Sequence, residues 1–261
     1  MEQTRAPVTF NRHLTGDYWL LEVEAPQIAG ALRPGEFVNI LVDDRPAPYL
    51  RRPFSVYRVS ADRRRLQVAY KIVGEGTRLM TQTIPTGGYC DVLGPLGHGF
   101  SLPDEARRIA VVGRGIGVAA LPTLVDEAAR RGIEVHGFLS ARTRDNLVAE
   151  DIFAEYGFPV VTQTDEQEPG ALVTTPLATL SKTMKFDAFY VCGSNRLARV
   201  VHQIAAAQQV PAEIAMEQDM ACGFGDCHGC VIEVNTEGNE TAWREVCHYG
   251  PVFNTWEVLH A

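Results

Sequence analysis

The sequence predicts a multidomain chain of β plus α/β class: a small antiparallel β-barrel, then a parallel-sheet α/β domain, then a short cysteine-bearing module. Three observations carry this. Up to about residue 100, short runs rich in Val, Tyr, Leu and Phe are punctuated by Pro and Gly, as strands and turns are. From about residue 107, apolar runs alternate with Ala-rich amphipathic stretches, the mark of βαβ units. Beyond residue 216, cysteines and glycines crowd together with little helical periodicity. Boundaries are expected at 1–101, 102–216 and 217–261. With 261 residues, 46% of them hydrophobic and 21% charged, the chain can bury two or three cores and does not read as disordered or fibrous.

Taken in order, barrel strands are expected at Tyr18–Val23, Phe37–Val42, Phe54–Val59 and Leu66–Val73. One helix is expected among them, after Gly74-Glu75-Gly76-Thr77 and through Leu79 and Met80. The α/β part opens with a strand at Ile109–Gly113. A helix over about Gly117–Arg130 follows, with Val118, Leu121, Leu124 and Val125 on one face. Further strands are expected at Val135–Ser140, Val160–Thr162, Ala188–Gly193 and Glu213–Met216, and a helix at Arg196–Gln208. Short strands around Val231–Val234 belong to the last module.

A net charge of −8 argues against a nucleic-acid partner, because phosphate binding needs clustered cations. Arg63-Arg64-Arg65, the one basic triplet, reads as a solvated turn. The start Met1-Glu2-Gln3-Thr4 lacks signal-peptide character and no 18-residue apolar run occurs, so a cytoplasmic protein without a membrane partner is expected. Thiols stay reduced there, and clustered cysteines then read as a metal or redox site before disulfides.

Cys222, Cys227, Cys230 and Cys247 have the spacing C-x4-C-x2-C-x16-C, the plant-type ferredoxin arrangement for a [2Fe-2S] cluster. Four thiolates must converge on two irons while backbone N–H groups face the sulfurs. Gly223, Gly225 and Gly229 permit the tight turns this needs. A structural zinc site is the alternative, though zinc modules usually present two close C-x2-C pairs. His228, between two ligands, reads as a surface residue, since all four ligand positions are already cysteine. Cys90 reads as barrel core.

Arg52-Pro53-Phe54-Ser55 opens a barrel strand, and Gly76-Thr77 begins the barrel helix. An arginine and a helix N-terminus both suit phosphate, and together they suggest a dinucleotide lying across the barrel. Ser55 would then donate to a flavin ring and Phe54 pack on it. Gly113-Arg114-Gly115-Ile116-Gly117 joins a strand to a helix where phosphates are held, but its third glycine falls one place early for the dinucleotide fingerprint. Tight packing is the other reading of Gly113, Gly115 and Gly117. Cys192, at a strand's end, sits either beside a nicotinamide or in plain core. Arg142 could accept a 2′-phosphate, which leaves NADPH open beside NADH.

The order of these features resembles the ferredoxin reductase superfamily and, more narrowly, the electron-transfer subunits of two-subunit NAD-dependent dihydroorotate dehydrogenases. Carrying the resemblance are Arg52-Pro53-Phe54-Ser55, Gly76-Thr77, Val112 to Ala119, Tyr190-Val191-Cys192-Gly193, Met220-Ala221-Cys222-Gly223 and Val246-Cys247 with Gly250-Pro251-Val252-Phe253. It implies a Greek-key barrel that binds FAD through Arg52 to Ser55, Ala69, Tyr70, Lys71, Gly76 and Thr77. It implies a nicotinamide domain fed by NADH, and four cysteines holding the iron. It also implies an FMN-containing catalytic partner in a heterotetramer of two plus two, with Ser55 and Cys192 at the reacting rings. Two departures stand out: Phe54 replaces a frequent Tyr, and Ser140-Ala141-Arg142-Thr143 replaces a Gly-Phe-Arg form. A reductase component feeding a hydrogenase or oxygenase is the rival reading, and a zinc-binding regulatory subunit the rival from another class.

Overall fold

The computed structural model describes residues 1–43, 49–167, 173–238 and 240–259. The N-terminal part is built from strands β1 (Glu2–Thr15), β2 (Tyr18–Glu24), β3 (Phe37–Ile40), β4 (Arg52–Ser55), β5 (Arg58–Val59), β6 (Arg65–Lys71) and β7 (Tyr89–Leu96), with helices α1 (Pro26–Ala31) and α2 (Glu75–Thr83). They form one antiparallel sheet in the order β4-β3-β7-β1-β2-β6-β5. Its neighbours β3 and β7, and β2 and β6, are distant in sequence, which is a Greek-key crossing. The sheet curls until β4 faces β6, where the Phe54 and Tyr70 rings lie 5.9 Å apart. Alternation along β6 places Leu66, Val68 and Tyr70 inside, in a core with Leu21, Val23, Val38, Ile40, Val92 and Met80. Burying each such side chain contributes about 1.5–3 kcal/mol.

Three expectations are corrected in the barrel. The run Phe54–Val59 is two strands: Val56 and Tyr57 leave the ladder with β3, and Tyr57 bonds to Gln67 on β6 instead. The barrel also holds a second helix, α1, which packs Ile28 and Ala29 into the core. The basic triplet is only partly a solvated turn. Arg63 caps the carbonyls of Gly30 and Leu32, and Arg65 belongs to β6 and pairs with Glu22.

The second part has strands β8 (Arg108–Arg114), β9 (Glu134–Ala141), β10 (Val160–Thr164), β11 (Ala188–Cys192) and β12 (Ala212–Ala215). Between them lie helices α3 (Pro122–Arg130), α4 (Glu150–Tyr156), α5 (Thr174–Leu180) and α6 (Asn195–Gln208). The expected helix Gly117–Arg130 is broken: Gly115–Ala120 is 3-10, and the α-helix begins at Pro122, whose fixed φ and missing N–H suit a first turn. The last part adds β13 (Val231–Asn235), β14 (Thr241–Glu245), α7 (Val246–Tyr249), β15 (Val252–Asn254) and α8 (Thr255–Val258). The central sheet runs β10-β9-β8-β11-β12-β15. Its first five strands are parallel, and β15 closes the edge antiparallel to β12. The segment after the last clustered cysteine is thus woven into the α/β sheet.

Each face of that sheet has its own core. One joins α3 and α4 to Tyr18, Leu20, Tyr57 and Ala69 of the barrel. The other joins α5 and α6 to Cys230, Val234, Val246, Cys247 and Phe253. Among the described residues no helix is long and apolar enough to cross a membrane.

Candidate functional site

The chain leaves β10, at one edge, to return to β11 beside β8, so the strand order reverses between β8 and β11, and open α/β sheets bind ligands beyond strand ends at such a point. Gly113 and Cys192 are register partners there. A cavity of about 510 Å³ opens over this point and runs to the barrel. Pro53, Phe54 and Ser55 of β4, Ala69, Tyr70 and Lys71 of β6, Thr77 of α2, and Gly117 and Cys192 all line it. Nine sequence-predicted residues from five segments are therefore brought to one space.

The floor of the cavity is aromatic. Tyr70 is tilted at 56° to Phe54 and stacks on Trp19, while its hydroxyl donates to Asn11 at 2.9 Å. Burial pushes the Tyr70 hydroxyl up to about 12, and it stays protonated. Among the described residues the Ser55 hydroxyl and the Lys71 ammonium have no hydrogen-bond or ion-pair partner, so both are available to a ligand. Arg52 lies just outside, with its guanidinium over Gly76 in the first turn of α2. A methyl group there would come within 2.8 Å of Nε. Thr77 is buried, and its hydroxyl accepts from the Val73 N–H at 2.9 Å, which shapes the turn before the helix.

The three glycines play unequal parts. A side chain on Gly113 would meet Val118 at 2.6 Å, so this glycine serves strand-to-helix packing. Gly115 has φ +56° and lies outside the cavity lining, and Gly117 leaves room for the Gly193 backbone, since a side chain on it would meet the Gly193 Cα at 2.7 Å. Cys192 is 1% exposed, yet its side lines the cavity. Burial, joined by the Glu217 carboxylate, raises its thiol well above the ordinary value, and it is no nucleophile at neutral pH.

The far wall is the strap Met216–Met220, which leads directly into Cys222. Sequence reasoning passed over this strap, although its position between a strand end and the first ligand-type cysteine marked it. It also missed the Arg114–Asp165 ion pair of 2.7 Å at the strand ends and Asn39 behind the cysteine loop. Arg142 is exposed and has no hydrogen-bond or ion-pair partner among the described residues.

The cysteine loop is held by its own backbone. Gly223 (φ +83°) and Gly225 (φ +95°) make the turns, but the third left-handed residue is His228 (φ +53°) rather than Gly229. His228 is at the surface, as expected, bonded to Glu245. Cys222 feels burial, which would raise its thiol. The N–H groups of Phe224, Cys227 and Asp226 outweigh it and bring that thiol down to about 6. The Gly225 N–H donates to Cys247 Sγ at 3.1 Å, and the Cys247 N–H to Cys230 Sγ at 3.4 Å. Burial and the neighbouring Cys230 thiol push Cys247 up to about 12. Hydrogen bonding associates Cys222 with Cys227 and Cys230 with Cys247. Two pairs are what two bridged irons need, two thiolates each. A single zinc would ask all four at one point. The donor set thus fits a [2Fe-2S] cluster, and the aromatic, arginine-flanked cavity fits a flavin dinucleotide. Cys90 is barrel core.

Comparison with known proteins agrees with this chemistry. Residues 217–259 match the iron-sulfur cluster binding domain of dihydroorotate dehydrogenase B. The chain is 33% identical over 244 residues, 92% of each chain, to the electron transfer subunit of dihydroorotate dehydrogenase B (NAD(+)) of Desulforamulus reducens. It is 34% identical to that of Geobacillus thermodenitrificans, with 98% of each covered. Among solved structures, an NADH-dependent reduced ferredoxin-NADP oxidoreductase superposes with a TM-score of 0.81 over 98% of this chain and 90% of that one, at 24% identity. Phthalate dioxygenase reductase superposes with a TM-score of 0.66 over 94% and 77%, at 17% identity. These two show the shared fold.

Proposed function

The chain belongs to the family of electron transfer subunits of dihydroorotate dehydrogenase B, and from that premise we propose that it relays electrons between a nicotinamide coenzyme and an FMN-containing catalytic partner through FAD and one [2Fe-2S] cluster. The single observation that carries the reading is continuity: the wall of the flavin-sized cavity runs through Met216–Met220 into Cys222. The two redox sites then share a boundary.

Three functional units are proposed at 1–101, 102–216 and 217–261, for FAD, nicotinamide and cluster. The cavity residues would hold FAD, which would supply the interconversion between a hydride exchanged with the nicotinamide and single electrons exchanged with the cluster. The chain's own residues position and shield. Arg52 and the first turn of α2 offer positive charge to the pyrophosphate, and Ser55 offers a hydroxyl to the ring. Ala69, Tyr70 and Lys71 line the ring's berth. Cys192, Gly117 and the strap residue Glu217 shape the place where a nicotinamide would meet it, with Cys192 kept as a neutral thiol. Cys222, Cys227, Cys230 and Cys247 would ligate the irons. No side-chain base is needed for hydride transfer, which carries its own electron pair. Such carriers run in both directions, and the relatives' names carry NAD+, so the assembled enzyme would deliver substrate electrons to that coenzyme. The assembly proposed is two copies of each subunit.

The test uses the full chain, purified without oxygen. It should contain FAD, with about two irons and two labile sulfides per chain. It should oxidise NADH with an artificial acceptor and leave dihydroorotate untouched. Co-purification should bring down an FMN protein that restores dihydroorotate oxidation. A single chain that oxidised dihydroorotate alone, or one free of iron and sulfide, would overturn the assignment.

A further inference from the structure

On the premise of that function, we infer that Asn39 is a positioning residue for the iron–sulfur centre: its amide ties the Cys222–Gly223 peptide to barrel strand β3 and so fixes the cysteine loop against the flavin-facing side of the barrel. Asn39 is the single polar residue of the strand Phe37-Val38-Asn39-Ile40, and it is 1% exposed. Its Nδ2 donates to the Cys222 carbonyl at 2.8 Å, a contact across 183 residues. Its Oδ1 is buried and has no hydrogen-bond partner. An orphaned buried acceptor costs stability, and an apolar side chain would avoid that cost, so the donor is what this position supplies.

The contact is close from both sides. Gly223 has φ +83°, and a methyl group added to it would run into Asn39 Nδ2. The peptide is trans and planar, so anchoring the Cys222 carbonyl toward β3 turns the Gly223 N–H the opposite way, out from the barrel. The next N–H groups along the loop, those of Phe224, Asp226 and Cys227, are the ones that converge on the Cys222 sulfur. One amide thus sets the plane from which that fan of donors starts. Asn39 also sits opposite Pro53 in the β3–β4 ladder, and Pro53, Phe54 and Ser55 line the flavin cavity. A displacement of the loop at Asn39 therefore changes its distance from the residues that would hold the flavin.

The experiment compares wild type, Asn39→Ala, Gly223→Ala, the double variant and Asn39→Asp, each as the full chain prepared without oxygen. Both single alanine variants should release iron to a chelator roughly tenfold faster than wild type, as one lost hydrogen bond of ordinary strength allows. Their centre should have a more negative midpoint potential, because donors to sulfur stabilise the reduced form and their alignment has slackened. Flavin reduction by NADH should keep its wild-type rate while reduction of the centre slows. The double variant should lie closer to wild type than Gly223→Ala, since the truncated side chain makes room for the added methyl. Asn39→Asp keeps the shape, removes the donor and adds charge, so its potential should fall even if the alanine variant loses its iron. Wild-type potential and iron release in all variants, or strictly additive effects in the double variant, would overturn this inference alone. A wild-type chain without iron would overturn the electron-transfer reading with it.

Discussion

Arg52 and Gly76 act as a pair at the scale of single residues. The guanidinium lies over the first turn of α2 because glycine leaves the space. A Cβ at Gly76 would come to 2.8 Å of Nε and 3.0 Å of Nη2. Gly76→Ala should therefore swing Arg52 away while helping the helix, since alanine is favoured over glycine there by about 1 kcal/mol. The expected result is an FAD dissociation constant raised roughly tenfold, equivalent to about 1.4 kcal/mol, with a melting temperature of the FAD-free chain within about 2 °C of wild type. Flavin fluorescence on dilution measures the first and calorimetry the second. An unchanged affinity would remove Arg52 from the proposed phosphate site. At this scale the cysteines were legible, because ligand spacing is a local property of the chain. Asn39 was not, because its partner is 183 residues away and only folding brings the two together.

Between elements, the barrel is clasped to the α/β part by Arg58 of β5. It donates to Asp126 of α3 at 2.7 and 3.2 Å and to Glu155 of α4 at 2.7 Å. The Tyr156 hydroxyl also donates to Asp126, at 2.8 Å. Arg58→Ala should cost about 2 kcal/mol, the range of hydrogen bonds to charged partners, which is roughly 4–8 °C in melting temperature for a chain of this size. The Arg58 guanidinium holds the Glu155 carboxyl below its usual value. A depressed carboxylate contributes its stability above the unfolded value of about 4.3 and loses it as pH falls through the folded one. The gap between wild type and variant should thus be steady from pH 6 to 8 and narrow below about pH 4. A gap that widened in acid would exclude Glu155 from the clasp. The strands of the parallel sheet were legible because they are continuous apolar runs. Strand β1 was not: register shifts at Val8/Phe10 and His13/Thr15 interrupt its alternation, and one long strand serves both β2 and β7. The six residues of α1 are too few to show a helical period.

Across the whole molecule, the two faces of one sheet decide the assembly. One face meets the barrel and the other meets the cysteine segment, while β15 joins the sheet edge. None of this could be read from sequence order, because it depends on which strands end up adjacent. At the barrel end, His98 bonds through its ring to the His248 carbonyl at 2.8 Å, one residue beyond Cys247. The cavity lies where all three segments meet, so whatever fills it is held by each. A ligand bound only to the folded chain stabilises it by RT ln(1 + [L]/Kd), about 2.7 kcal/mol at a hundredfold excess over Kd. Stripping FAD should accordingly lower the melting temperature by roughly 5–10 °C and separate one cooperative transition into more than one, because the shared contacts that couple the segments are gone. Restoring FAD should reverse both changes, and Gly76→Ala should need more FAD to do so. Calorimetry of the stripped and reloaded chain reads the effect directly. A stripped chain that melted at the same temperature in the same single transition would show that the flavin does not lie at the meeting point of the three segments.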